Sequence, residues 1–361
     1  MATIIARTRL AGGSVTVVRA PSVKDVARQA GVSLGTVSNV LNRPETVRAS
    51  TRGKVEQAIA DLGFIRSEPA RMLRAGSSRM IAYLALDLAN PFFADIVRGI
   101  EEVARDNNLG LFLCSSNNEV AREAEYLSLI VQQRIQGLLV TAIDYESEIL
   151  RRLLKRGLPV VFVDKTPGAL KHRCSVGVDD IEGGDLAVSH LIDNGHRAVA
   201  FVGGPMAIPQ VMDRLVGSRQ AIATAGLEPD VLTVFETTAL NVAEGRRAGA
   251  RVLGQPKRRR PTAVFCANDL LALGVLQEMT SQGISVPEEV AIVGYDDIEF
   301  AAAAAIPLTS VRQPRHLLGK AAAELLIEEA LLGSGHEHRQ VQYTPELIVR
   351  ASSRRRSRRL S

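Results

Sequence analysis

Apolar strands that alternate with amphipathic helices fill residues 80–350, and this alternation constrains the fold more than any other feature of the chain. Runs such as MIAYLAL (residues 80–86), GLLVTA (137–142) and VAFVGG (199–204) are apolar throughout, without the polar alternation of a half-exposed strand. Continuous apolar strands separated by helices indicate parallel sheets that helices cover on both faces. The expected fold of this region is therefore α/β.

The number of strand–helix units favours two lobes over one sheet. There are more units than one doubly wound sheet holds comfortably, and Gly/Pro breaks near residues 176–184 and 306–314 allow crossings between lobes. A (β/α)₈ barrel is the alternative, since its unit count and length are comparable. We expect two Rossmann-like subdomains, because 361 residues are enough for several cores.

Residues 22–42, SVKDVARQAGVSLGTVSNVLN, predict a helix-turn-helix ahead of the α/β region. Apolar residues at helical spacing bury one face of a first helix, Gly31 supplies the turn, and Ser33 can cap the second helix. A third helix, capped by Ser50, closes a small all-α core. Two short helices around a glycine also occur in proteins that bind no DNA. The outward face of the second helix carries Leu34, Gly35, Ser38 and Asn39.

Positive charge concentrates at the two ends of the chain. Residues 1–79 carry a net charge of +8 and residues 351–361 carry +5, whereas residues 80–350 carry −8. Phosphate neutralisation needs positive charge on one module, while a merely solvated surface mixes both signs. The pattern favours double-stranded DNA as the partner of the N-terminal region, and the Arg-rich end is expected to be a disordered tail.

Residues 66–79, RSEPARMLRAGSSR, predict a short linker helix capped by Ser67. Two turns of helix do not hold together alone in water, so this segment is expected to order only when something packs on it. Leu73 lies between Arg71 and Arg74. It is either an ordinary linker leucine or a wedge between base steps of the minor groove, with the arginines on phosphates.

Polar residues follow the predicted strands in both halves of the α/β region. In open α/β sheets, ligands bind beyond the carboxyl ends of the strands. Carboxylates, amides and the guanidinium of Arg214 can bind adjacent hydroxyls, and Phe92 and Phe93 can pack on the apolar face of a sugar. Any single Asp could instead cap a helix, but their repetition favours a shared cleft. The polar strand-end residues are Asp87, Asn90, Asp164, Asp179, Asp180, Asn268, Asp269, Asp296 and Asp297.

Several classes of protein are disfavoured. No GxGxxG follows the first strand, and GKS/GKT and HExxH motifs are missing, so we expect neither an enzyme nor a cofactor. Cys114, Cys174 and Cys266 are widely spaced, without CxxC or histidines at metal-ligand spacing, and are expected to be core residues that bind no metal. No run approaches a membrane span, and Arg7 and Arg9 make poor signal-peptide material. We expect a cytoplasmic, nucleoid-associated protein with no membrane partner.

Together these motifs resemble the lactose-repressor (LacI/GalR) family of bacterial transcription regulators over about residues 22–350. VKDVARQAGVSLGTVSNVLN resembles its DNA-binding signature and EPARMLRAG its hinge helix, while NPFF, CANDLLALGVL, VPEEVAIVGYDDIEFA and PLTSVRQP resemble further hallmarks in the family's order. The resemblance implies a three-helix head, a hinge helix and a two-lobed periplasmic-binding-protein-like core. It also implies a homodimeric repressor on a pseudo-palindromic operator, controlled by a small polar effector such as a sugar.

The resemblance assigns roles to individual residues. The predicted DNA-binding set, in which Leu73 becomes the minor-groove wedge, is Leu34, Gly35, Thr36, Ser38, Asn39, Asn42, Arg71, Leu73 and Arg74. The predicted effector-binding set is Asn90, Phe92, Phe93, Asp164, Arg214, Leu240, Asn268 and Asp296.

Three departures from the family pattern matter. Gly35 offers no side chain where relatives often place a hydrogen-bonding one, and Leu240 stands where sugar-binding members often have a stacking aromatic. The C-terminus lacks the leucine heptads that build tetramers, so a dimer is expected.

The expected domains are an arm (1–20), the helix-turn-helix domain (21–66), the hinge helix and linker (67–79), the two-lobed domain (80–350) and the basic tail (351–361). A sugar-binding protein without DNA function and a sugar-modifying enzyme are the alternatives.

Overall fold

The computed structural model describes residues 21–64, 78–164 and 172–354 of the chain. It separates into two compact units that divide after Gly76, here called the head and the core. Predictions for the arm 1–20, for Arg71, Leu73 and Arg74, and for most of the Arg-rich end lie outside the described residues. None of the described helices is long and apolar enough to span a membrane.

The head consists of three helices, α1 (Val23–Ala30), α2 (Leu34–Asn42) and α3 (Ala49–Leu62). Gly31 ends α1 with φ 63°, a left-handed conformation that favours glycine, and so provides the predicted turn. Val26, Val37 and Val55 are fully buried and form the centre of its core. The predicted cap of the third helix is wrong by two residues. Because the amides of Thr51 and Arg52 both donate to the Arg48 carbonyl, the cap position is Arg48 rather than Ser50.

The core contains two six-stranded sheets with the same strand order. The strands are β1 (Met80–Ala85), β2 (Gly110–Ser115), β3 (Gly137–Val140), β4 (Val160–Val163), β5 (Cys174–Val178), β6 (Val199–Gly203), β7 (Leu232–Glu236), β8 (Ala263–Cys266), β9 (Ala291–Asp296), β10 (Thr309–Arg312), β11 (Gln340–Tyr343) and β12 (Glu346–Ile348). In lobe 1 the order is β11-β5-β4-β3-β1-β2, and in lobe 2 it is β12-β10-β9-β8-β6-β7. Within the described residues, neighbouring strands pair in parallel except for β12 with β10. Two separate sheets confirm the two-lobed prediction and exclude the barrel.

Helices cover the sheets of both lobes. Lobe 1 contains α4 (Pro91–Asp106), α5 (Val120–Gln132), α6 (Glu148–Lys155) and α12 (Arg315–Leu332). Lobe 2 contains α7 (Asp180–Asp193), α8 (Pro209–Thr224), α9 (Val242–Leu253), α10 (Asp269–Ser281) and α11 (Glu299–Ala303). The chain changes lobe after β5, after β10 and again between β11 and β12. The sequence predicted the first two crossings but not the third.

Helices α7 and α8 touch through two glycines. A Cβ atom on Gly217 would lie 1.9 Å from the carbonyl oxygen of Ile181, and one on Gly184 would lie 2.1 Å from that of Arg214. Neither position has room for a side chain, so the two helices approach backbone to backbone. This approach holds Asp180, the first residue of α7, beside Arg214 on α8.

Candidate functional site

The outward surface of α2 is the candidate DNA-binding surface. Leu34 is 47% exposed although it is apolar, and Gly35, Asn39 and Asn42 are exposed as well. The surface is therefore accessible along the whole length of α2.

Two predicted DNA-binding residues of α2 also bond within the helix. The Ser33 hydroxyl accepts a hydrogen bond from the Thr36 amide at 3.0 Å, which confirms the predicted cap, and it lies 2.9 Å from the Thr36 hydroxyl. The Asn42 amide donates to the carbonyl oxygen of Ser38 at 2.7 Å. Asn39 and Asn42 are the exposed residues of α2 with side-chain amides, and Asn39 lies nearer the middle of the helix.

Helix α2 carries no charged residue, and the exposed side chains of Arg43 and Arg48 follow it along the chain. Residues 21–64 hold six basic and four acidic side chains. Most of the +8 excess of residues 1–79 therefore belongs to the segments on either side of the described head.

The polar strand ends of the two lobes meet around a single small cavity. All eight predicted effector-binding residues line it, together with Leu86, Asp87, Asn118, Ile208, Gln210 and Val211. Its volume is about 30 Å³, which is room for about two water molecules. Sites for small organic ligands usually occupy about 300–1,000 Å³. A ligand of that size can enter only if the lobes move apart.

Hydrogen bonds across the cavity hold the lobes together. The Asn90 amide in lobe 1 donates to the Asp296 carboxylate in lobe 2 at 3.0 Å, while its oxygen accepts from the Phe92 amide and caps α4. Gln210 on α8 donates to the backbone oxygen of Asp164 at the end of β4. Within lobe 2, the Asn268 side chain caps α10 and also donates to the Leu240 carbonyl at 3.1 Å. Asn90 and Asn268 therefore act both as helix caps and as cavity-lining groups.

Arg214 is the central charge of the cavity, and it is 4% exposed. Its Nε donates to Asp180 Oδ1 at 2.8 Å and its Nη1 donates to the Ala267 carbonyl at 2.6 Å. The guanidinium lies 3.7 Å from the centre of the Tyr295 ring. A charge buried this deeply is stable only with such partners.

Two buried carboxyl groups face the cavity with raised pKa values. Burial, reinforced by the charge of Asp180, raises the pKa of Asp164 to about 8, and burial raises that of Asp296 to about 6. Arg214 opposes both shifts. Asp164 Oδ1 has no hydrogen-bond partner among the described residues. A protonated Asp164 can donate to a ligand as well as accept from it.

The backbone at both carboxyl groups is left-handed, with φ 57° at Asp164 and 100° at Asp296. Such conformations are strained for residues other than glycine, and they recur at functional sites. The strain turns each side chain at the end of its strand toward the space between the lobes.

Sequence reasoning could not separate cavity residues from structural ones. Asp179 accepts from the Glu182 amide as an ordinary helix cap, and Asp269 accepts from the Ser310 hydroxyl and the Ile298 amide. Asp297 forms ion pairs with Arg312 and Arg350. These three aspartates are absent from the cavity lining of the described residues.

The effector set predicted from sequence also omitted residues. Asn118 and Gln210 line the cavity. Asp180 lies outside the lining and orients Arg214 by accepting a hydrogen bond from its guanidinium. One signal was available for Gln210. It lies four residues before Arg214 and therefore on the same face of α8.

The fold and cavity define a two-lobed ligand-binding core of the periplasmic-binding-protein type, joined in one chain to a helix-turn-helix head. The family profile described as bacterial regulatory proteins, lacI family, matches residues 22–67, and that of the periplasmic binding protein-like domain matches residues 188–353. The HTH-type transcriptional repressor PurR of Aliivibrio fischeri (strain MJ11) is 34% identical over 333 residues, which cover 92% of this chain and 98% of that protein. The chain therefore belongs to the lacI family of bacterial transcriptional regulators, as predicted.

Solved structures agree with this assignment. The lac repressor dimer bound to operator and the anti-inducer ONPF is 26% identical, with a TM-score of 0.79 over 93% of this chain and 99% of that one. The regulator CelR in complex with cellobiose is 29% identical, with a TM-score of 0.67 over 92% of this chain and 100% of that one. The relatives named here are transcriptional regulators, and this chain is a DNA-binding regulator with an effector-binding core.

Burial of Asp164 predicts a pH-dependent stability of the core. The folded state holds this proton up to about pH 8, whereas the unfolded carboxyl loses it near 3.8. Unfolding free energy should therefore fall as pH rises from about 5 to about 8, by at most about 1.4 kcal/mol per pH unit for this group. Asp164→Asn should flatten the slope between about pH 6 and 8 in denaturant titrations, because Asp296 contributes below that window. The exposed Asp230→Asn should keep the wild-type slope, and an unchanged slope in Asp164→Asn would contradict the assignment.

Proposed function

We propose that this regulator is a homodimeric repressor in the bacterial cytoplasm that binds a pseudo-palindromic operator through α2. In this proposal, a small neutral ligand rich in hydroxyl groups controls it by binding between the lobes. One observation carries the proposal. The eight residues predicted for an effector come from both lobes and line one small cavity, in a chain that also has a helix-turn-helix head.

On the DNA side, the exposed face of α2 supports base readout. The Asn39 amide can pair in bidentate fashion with adenine in the major groove, and Leu34 can contact a thymine methyl group. Arg43 and Arg48, exposed beyond the end of α2, are suited to phosphates. By family resemblance alone, Leu73 acts as the minor-groove wedge between Arg71 and Arg74.

On the effector side, the charges of the cavity disfavour an anionic ligand, because Asp87 and Asp296 also line it. Arg214 is the only cation among the described lining residues, and Asp180 already pairs with it. Asp164 is protonated near neutral pH. Buried amides and carboxyls beside aromatic rings suit hydroxyl groups on an apolar ring, so we propose a carbohydrate. Two similar regulators contain sugars in their structures, cellobiose in CelR and ribose in a regulator from Enterococcus faecium that is 28% identical.

The ligand controls DNA binding only if it binds two lobe arrangements with different affinity. A bound sugar would replace the Asn90–Asp296 and Gln210–Asp164 contacts, and so select another closure angle. In a dimer, this angle sets the separation of the two linkers and hence whether both heads fit their half-sites. A coupling of about 1–3 kcal/mol gives a change in operator affinity of about 5–150-fold.

The proposed dimer contact includes the outer edges of both sheets. Strands β2 and β7 are the last described strands at corresponding ends of their sheets. Phe112 and Leu113 on β2 are 37% and 40% exposed, and Val234 on β7 is 37% exposed. Exposed apolar edge strands readily pair with another chain, and a second copy would cover both edges at once.

Asn39→Ala should relax base preference at one position of each half-site, at a cost of about 1–3 kcal/mol against the wild-type sequence. Duplexes selected from a random pool by the purified protein give the preference at each position. Arg43→Ala should instead weaken all sequences alike and lower the salt dependence, because it removes a phosphate contact. Leu73→Ala should also weaken operator binding, but it should not change the base preference within either half-site. The exposed Gln57→Ala on α3 is the control, and uniform weakening in Asn39→Ala would make that residue a backbone contact.

Neutral sugars should raise the melting temperature of the full chain, whereas sugar phosphates and nucleobases should not. Arg214→Lys keeps the charge but loses the planar fork, so it should remove the sugar-induced shift and the effect of sugar on operator binding. The exposed Arg247→Lys is the matched control. Operator binding without sugar should persist in both variants. A shift with nucleobases and none with any sugar would reject the carbohydrate proposal and leave the operator proposal standing.

Leu113→Glu places a charge on the β2 edge and should convert the dimer to monomers in sedimentation velocity. Operator affinity should fall with it, since two heads no longer bind together. Leu331→Glu, at a position that is 79% exposed near the end of α12, is the control and should remain dimeric. A Leu113→Glu protein that sediments as a dimer would place the contact elsewhere.

A further inference from the structure

Four potential metal ligands gather in lobe 1, away from the cavity between the lobes. They are Cys174, Glu329, His336 and His338, and one ligand atom from each lies within 4.8 Å of all the others. The Cys174 sulfur lies 3.0 Å from His336 Nε2 and 3.6 Å from His338 Nδ1. The sequence predicted a buried core cysteine here, and Cys174 is fully buried. Its two histidine neighbours lie more than 160 residues further along the chain, so sequence spacing did not indicate them.

The sheet of lobe 1 brings these residues together. Cys174 is the first residue of β5, and Glu329 lies in the last turn of α12. His336 and His338 belong to the connection from α12 into β11, which runs parallel to β5 with Gln340 opposite Ser175. The cluster therefore lies at the amino end of the strands, whereas the effector cavity lies at their carboxyl ends.

The cluster has the burial and the supporting contacts of a binding site. The side chains of Cys174 and His336 are fully buried, and Glu329 is 9% exposed. Glu329 Oε2 has no hydrogen-bond partner within the described part of the chain. A buried carboxylate oxygen without a partner costs free energy, which a bound cation would offset.

A second carboxylate stands behind one of the imidazoles. His336 directs Nε2 at the Cys174 sulfur. Its Nδ1 lies 3.5 Å from Glu328 Oε1 without a hydrogen bond among the described residues, and Glu328 also pairs with Arg339. Histidines that bind metals commonly have a carboxylate on the far nitrogen, which fixes the tautomer and orients the ring. The Arg339 amide donates to the same sulfur from 3.5 Å.

An ion has a path to the cluster. An open cavity of about 980 Å³ is lined by Glu329, His336 and His338, among other residues. His338 is the exposed member of the cluster and forms its outer side. The three buried groups therefore lie behind one accessible ligand.

We propose that Cys174, Glu329, His336 and His338 form a four-coordinate site for Zn²⁺. One thiolate, two imidazoles and one carboxylate suit Zn²⁺, whereas Mg²⁺ and Ca²⁺ prefer oxygen ligands only. Binding forms one bond from the metal to each ligand, and the Cys174 thiol releases its proton to solvent without any redox change. Four protein ligands leave no open position, so the site is structural and fastens β5, β11 and the end of α12 together.

The test uses the full chain, purified without a histidine tag, stripped with a chelator and titrated with Co²⁺ as a spectroscopic probe. One Co²⁺ per chain should bind, with thiolate-to-metal charge-transfer absorption and the intense visible bands of tetrahedral coordination. Zn²⁺ should displace it stoichiometrically and raise the melting temperature of the core.

Variants assign the ligands. Cys174→Ser should abolish the charge-transfer band, and Cys114→Ala, at another buried cysteine, should leave it unchanged. His338→Gln alters the exposed ligand without disturbing the buried core, and it should weaken binding by more than tenfold. Glu328→Gln should weaken binding by about 10–100-fold through the orientation of His336.

Two results would overturn the site. One is the absence of Co²⁺ or Zn²⁺ binding to a wild-type protein that melts cooperatively. The other is binding that survives unchanged in both Cys174→Ser and His338→Gln, which would reduce it to adventitious contact with surface groups. Neither result bears on operator recognition or on the ligand between the lobes, which the base-selection and sugar titrations test separately.

Discussion

The buried guanidinium of Arg214 is the interaction on which the electrostatics of the cavity between the lobes depend. Removing such a charge from water costs several kcal/mol unless partners replace the lost hydration. Asp180, the Ala267 carbonyl and the ring of Tyr295 supply that replacement. Asp180 is in place because Gly184 and Gly217 let α7 and α8 meet backbone to backbone. A packing detail on one side of lobe 2 thereby determines the electrostatics of the cavity.

This charge also explains why the cavity can respond to a ligand. Asp164 and Asp296 remain buried near Arg214 at raised pKa values, in strained backbone conformations, and partly without hydrogen-bond partners. Polar groups held in this way gain more from a ligand than solvated ones would. The closed lobes leave about 30 Å³ between them, so a ligand must exchange contacts between the lobes for contacts with itself. Such an exchange is the differential binding that allosteric control requires.

The two ends of the lobe 1 strands carry different kinds of side chain. Their carboxyl ends present oxygen and amide groups to the space between the lobes, while their amino ends gather one sulfur, two imidazoles and a carboxylate. In the head, by contrast, the described residues carry little of the positive charge that operator binding needs. In the proposed operator complex, electrostatic attraction to DNA therefore comes in large part from the arginines that flank the head in the sequence, and α2 supplies selectivity.

Local patterns in the sequence were enough to determine the three-helix head, the two parallel sheets and the polar ends of their strands. Helical spacing, apolar strands and capping residues act over a few positions, so they are readable without a fold. The tertiary structure alone decided that Asp180 rather than its neighbour Asp179 reaches Arg214, since the choice depends on where α8 crosses α7. It alone brought Cys174 beside His336 and His338, because the parallel pairing of β5 with β11 joins segments far apart in the chain. Contacts between distant segments leave no periodic trace in either segment, and for that reason the sequence did not reveal them.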